Sequence, residues 1–222
     1  MNDQSTRRLD ALKRVCNFAE AHAELFPQGT LARELLNVIS DVTEKLGEYA
    51  ATQVSGRGEA RRATAAKDAA RAAILEGLAV LRRTARSIAV VVPGVDDKFR
   101  IPRNLNDQLV LDTAHAFLAE SEPLKDEFLR REVPESVFQD LQANVTAFEE
   151  ALRGRDTGRE ASVMAGASID AALERATEAL RQLDPIIRNK LRDDPATLAA
   201  WESARHTERS PRRSKPNPPP TS

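Results

Sequence analysis

Apolar residues recur along this chain at alternating intervals of three and four. The first run is Leu9, Leu12, Cys16, Ala19, Ala23 and Phe26. Such spacing keeps side chains on one stripe of a helix, which must be buried against other helices. The rhythm returns in Leu35, Ile39, Val42, Leu46 and Tyr49, and again in Ile74, Leu78, Leu81, Ala85, Ile88 and Val92. Three later runs follow: Val110, Ala114, Phe117, Ser121, Leu124 and Phe128; Phe138, Leu141, Val145, Phe148 and Leu152; Ile169, Leu173, Ala176, Leu180, Leu183 and Ile187. The pattern predicts an all-α antiparallel bundle of about six long helices.

Breakers place the boundaries. Ser5 is the expected N-cap of a first helix over residues 5–26, which Pro27 and Gly29 end. A second helix starts near Thr30. Ser55-Gly56-Arg57-Gly58 reads as a hairpin turn, because two glycines lift the Cβ constraint; the rival reading is one long helix that loosens there. The third helix spans about Ala60 to Val92 and ends at Pro93-Gly94. The polar segment 93–104 is read as a connector. Pro123 kinks or restarts the fourth helix, with Ser121 as the new cap. The fifth runs from Pro134 to Leu152. Gly154-Arg155-Asp156-Thr157-Gly158 is read as the next turn, and Pro185 as a kink or restart in the sixth helix. Asp194-Pro195 reads as an N-cap followed by proline at the first helical position, opening a short last helix with Trp201. The segment SPRRSKPNPPPTS, 210–222, is proline-dense and basic and is expected to be disordered or polyproline II-like.

Two segments march in step. Residues 31–46 and 137–152 pair Leu35 with Leu141, Ile39 with Val145, Val42 with Phe148, and Leu46 with Leu152. Each segment follows a proline, Pro27 or Pro134. The expected organisation is two tandem three-helix units over 1–92 and 105–192, joined by 93–104, then a terminal helix over 193–209 and the tail. Duplication is one account of the likeness. The other is that any two amphipathic helices can be brought into phase by sliding one turn.

Composition supports helix. The 222 residues are 41% apolar and 30% charged but only 4% aromatic, so the core is aliphatic and alanine-rich. A formal net charge of −1 gives no global pull toward nucleic acid or lipid. The lone Cys16 cannot form an internal disulfide. The N-terminal MNDQSTRRLDAL lacks the apolar core of a signal peptide, and Ile88 to Val92 is too short to span a bilayer. A reduced cytoplasm is the expected compartment.

Two stretches, VPGVDDKFRIPRNLNDQ (92–108) and IIRNKLRDDPATLAAWESARHTERSPRR (186–213), resemble segments of uncharacterised bacterial all-helical proteins. The resemblance implies an all-helical fold. It assigns no activity and no site residue.

Candidate chemistry is sparse. There are three histidines. His115 with Asp112 three positions earlier, and His22, are the only metal candidates, and a di-iron bundle wants paired Glu-x-x-His motifs with facing carboxylates. His22 also reads as an edge-of-core side chain near Phe18 and Leu25. Cys16 lies on an apolar stripe, where a thiol behaves as a small hydrophobe. No G-x-S-x-G, Walker or dinucleotide-binding glycine motif occurs, so neither catalytic residue nor cofactor is expected. The arginine clusters at 82, 83, 86, at 130 and 131, and near 188 suit helix C-termini. Trp201 reads either as an anchor for the last helix or as a partner hot spot. Arg212, Arg213 and Lys215 could touch a polyanion, and Pro216 to Pro219 make a PxxP pattern for an aromatic groove.

The function these residues favour is a non-enzymatic bundle acting as a scaffold or protein-interaction module, with a protein partner or a second copy binding through helix faces. A nucleic-acid accessory using the basic tail is the first alternative. A metal-binding bundle is the second.

Overall fold

The computed structural model describes residues 2–208. Among them no strand occurs, and the fold is an all-α helical bundle. Its elements are α1 (Asp3–Ala21), α2 (Leu31–Ala89), α3 (Val95–Lys98), α4 (Asp107–Ser121), α5 (Lys125–Leu129), α6 (Glu135–Lys190) and α7 (Pro195–Arg205). Short 3-10 turns cover Ala23–Leu25 and Glu122–Leu124.

Two expected turns are absent. The glycines of 55–58 lie inside α2, a single helix of 59 residues, and those of 154–158 lie inside α6, a helix of 56 residues. The rival single-helix reading therefore describes 55–58. Gly56 and Gly158 are buried, and a Cβ on Gly158 would sit 2.8 Å from both Ala60 N and Gly56 O. Glycine is needed here for close backbone approach, a role that looks the same as a turn in one dimension. Gly29 and Gly94 do turn the chain, with φ of 74° and 87°.

Merging those helices moves the unit boundaries. One compact unit joins residues up to Ser55 with residues from Ala161; the other is Gly56–Glu160. The tandem division at 1–92 and 105–192 does not describe this chain, because α2 and α6 each contribute to both units. In the first unit, α1, the start of α2, the end of α6 and α7 share a core built on Leu12, Val15, Ile39, Leu46, Leu183 and Trp201. In the second, Ile74, Leu78 and Leu81 of α2 pack with Phe117 of α4 and with Leu141, Val145 and Phe148 of α6. Within that unit Gly77 faces Leu141 and Gly154 faces Ala63, so α2 and α6 run antiparallel.

The segment read as a connector is part of the second core. Phe99 is fully buried, 5.1 Å from Phe117 and 5.5 Å from Phe128 by ring centroids. Its aromatic ring outweighs the polar residues around it, since one ring buries much area.

Several caps differ from expectation. The α1 cap is Asn2, whose Oδ1 accepts from Ser5 N at 2.7 Å; Ser5 itself is buried within the first turn. Ser121 does not cap the restart at Pro123, because its hydroxyl donates back to the Leu118 carbonyl at 2.9 Å. Pro185 leaves α6 unbroken, since the packing of Leu183 and Ile187 on either side outweighs one missing donor. Asp194 caps α7, accepting from Thr197 N at 3.1 Å ahead of Pro195. Hydrogen bonding from the Thr197 side chain, and then from its backbone N–H, holds the Asp194 carboxyl below its ordinary pKa.

Candidate interaction face

The predicted metal candidates do not converge. Asp112 accepts from Gln108 at 2.8 Å, and His115 Nε2 lies 3.4 Å from Glu149 Oε1 at the surface. His22 stacks on Phe18 at 4.5 Å, with Nδ1 3.5 Å from Glu24, in the other unit. Among the described residues no group of three or more His, Cys, Asp or Glu is placed to hold a metal ion. Burial pushes the Cys16 thiol above its ordinary pKa, which favours the protonated, unreactive form.

Trp201 is an anchor. It has 0% exposure, lies 5.3 Å from Phe18, and donates its indole N–H to Asp184 Oδ1 at 2.8 Å. Asp184 also meets Arg188 Nε at 3.1 Å and Arg205 Nε at 3.1 Å, and Arg188 reaches Glu202 at 2.8 Å. The Arg205 contact is an ion pair without hydrogen-bond alignment, leaving that buried N–H unsatisfied. Arg14 donates to the His206 carbonyl, tying the end of α7 to α1. A side chain committed to this network is not a surface hot spot. The other interaction candidates, Arg212, Arg213, Lys215, Pro216 and Pro219, lie outside the described residues.

The surface feature that the apolar stripes did not point to is on the second unit. The α2 segment ATAAKDAARAA (63–73) is helical because alanine loses almost no side-chain freedom in a helix. Ala70 and Ile74 face the core, while Ala65, Ala66, Ala69 and Ala72 are exposed. Alongside, Ala143 and Ala147 of α6 are exposed while Val145 and Phe148 are buried. The result is a smooth methyl surface on an already satisfied helix pair.

Next to it, α2 and α6 enclose an open groove of about 370 Å³. Ala73, Gly77, Leu141 and Asn144 line it, with Glu76 and Asp140 among its walls. Gly77 lacks the side chain that would fill the groove; a Cβ there would meet Leu141 Cδ1 at 3.4 Å. Neither carboxylate takes part in an ion pair among the described residues, in contrast to Asp107 on the α4 side, which Lys67 holds at 2.8 Å and Arg71 at 3.6 Å. The sequence did contain a signal: five alanines at 65, 66, 69, 72 and 73 are too many for one core stripe.

The fold thus defines an all-helical bundle protein, and no described helix is long and apolar enough to cross a membrane. Comparison with known protein families, curated proteins and solved structures finds no match to the chain.

Proposed function

We propose that this protein is a non-enzymatic helical scaffold that recruits a helical protein partner on the alanine face of α2. The observation that carries this reading is the exposed set Ala65, Ala66, Ala69 and Ala72 beside an open groove walled by the free carboxylates of Glu76 and Asp140. Small side chains let a further helix approach to about 8 Å between axes, and bundles grow by such additions. The matched stripes 31–46 and 137–152 each open one long helix and line one core, which supports a duplicated origin for the bundle.

A photoreactive benzoylphenylalanine at position 69 tests the reading, with one at the exposed Asp170 position as control. In cells that naturally make the protein, the probe at 69 should give a discrete protein cross-link that the control lacks. Equal labelling from both positions, or none from either, overturns it.

A further inference from the structure

We propose that the partner is a second copy of this chain, docked antiparallel on the same face about a two-fold axis passing beside Ala69. This rests on the reading of that face as an interaction surface.

The argument is one of self-complementarity. At 3.6 residues per turn, Arg62, Ala69 and Glu76, seven apart, fall along one line of α2. Ala65 and Ala73 flank that line on one diagonal, Ala66 and Ala72 on the other. Reversing a second α2 about Ala69 sets Ala69 against itself, Ala65 against Ala73, and Ala66 against Ala72. It also sets Arg62 of each copy against Glu76 of the other. Every position of the face then meets an acceptable partner, which a two-fold interface requires.

Charge supports this register. Arg62, Glu76 and Asp140 are exposed, and none has an ion-pair partner among the described residues. Arg62 and Glu76 of one chain are separated by about 21 Å along the helix at ~1.5 Å per residue, so they cannot satisfy each other. In the reversed register Arg62 arrives at the groove where Glu76 and Asp140 are neighbours. The guanidinium fork suits carboxylate recognition. The methyl surface between the two charged ends brings the backbones close without leaving cavities.

The test is a reciprocal charge swap, read as solution mass by sedimentation over a concentration series. Wild type should associate to twice the chain mass. Arg62→Glu alone sets a carboxylate at position 62 against that of Glu76, and Glu76→Lys alone sets an ammonium at position 76 against Arg62. Each should weaken association at least about tenfold, because like charges are brought together. Mixing the two single variants opposes unlike charges at both ends of the face, and so should restore association in a heterodimer. The double variant should self-associate like wild type. Circular dichroism confirms that each variant keeps its helix, and the mixing arm reports on proteins that already failed alone.

Single swaps that leave association unchanged, or a mixture that stays monomeric, overturn the proposal. A wild type that is monomeric at ~100 µM also overturns it, since that corresponds to association weaker than about −5.5 kcal/mol. The probe at position 69 separates the two failures. A cross-link to a different protein sinks the second-copy proposal and leaves the interaction face standing, whereas no cross-link sinks both.

Discussion

Replacing Gly158 by alanine tests the claim that the central glycines exist for helix approach. In an isolated helix, Gly→Ala stabilises by about 1 kcal/mol, because alanine has less freedom to lose. Here the new methyl would lie 2.8 Å from Ala60 N and Gly56 O and 3.3 Å from Ala60 Cα. These are backbone atoms of α2 and cannot rotate away. Restoring ordinary contact near 3.4 Å means moving the two helices apart by about 0.6 Å, which loosens neighbouring contacts and costs about 1–3 kcal/mol, as overpacking does. The propensity gain offsets part of this, so Gly158→Ala should destabilise by roughly 1–2 kcal/mol net. Gly58→Ala is the control in the same unit, because only the flexible Arg62 guanidinium comes within 3.9 Å of its Cβ. It should stabilise by about 0.5–1 kcal/mol. Gly154→Ala, with Ala63 Cβ at 3.6 Å, belongs with the control. Urea unfolding followed by circular dichroism gives all three. If Gly158→Ala stabilises as much as Gly58→Ala, the close-approach account is wrong.

Three further outcomes follow from the geometry. Glu132 adopts φ of 60° after α5, where its N–H donates to Leu129 O at 3.0 Å and Val133 N–H donates to Phe128 O at 3.2 Å, a helix-ending motif that favours glycine; Glu132→Gly should raise stability by about 1 kcal/mol in the same urea assay. Asp184→Ala should cost about 2–3 kcal/mol, because it strands the Trp201 N–H and the Arg205 guanidinium and leaves Arg188 paired with Glu202 alone; combining it with Trp201→Ala should cost less than the sum, since both remove one contact, and full additivity would refute the network. The hydrogen bond from Arg131 holds Glu127 below its ordinary pKa, and that from Lys125 does the same for Glu135. A depressed carboxylate contributes stability present above its unfolded pKa and lost as pH falls through the folded value, so stability should decline below about pH 4 and decline less in Glu127→Gln. An unchanged acid limb in that variant would refute the assignment.

Helix content, the core stripes, the start of α2 near Thr30 and the cap at Asp194 were legible in the chain. So was the dual reading of Trp201, which burial resolved as an anchor. Periodicity of three and four is a local property, and any helix that carries it must bury it. Ser5 and Asn2 show the limit of local reading. Both can cap, and the choice went to Asn2 because Ser5 is needed inside the first turn, where it is buried. The face on α2 is hidden in the sequence for a related reason. Alanine serves core and surface alike, so only burial distinguishes Ala70 from Ala69.

The sequence by itself determined that the chain is helical, which residues form the stripes apart from Ala23 and Val92, which lie beyond the ends of α1 and α2 and are exposed, and where Gly29 and Gly94 turn it. Tertiary structure alone decided that Gly56 and Gly158 continue their helices, that Phe99 belongs to a core, and that the units divide at 55–56 and 160–161. Glycine permits both a turn and a close crossing, and the choice depends on whether another backbone lies within contact distance. That neighbour is about a hundred residues away along the chain, beyond the reach of any local pattern.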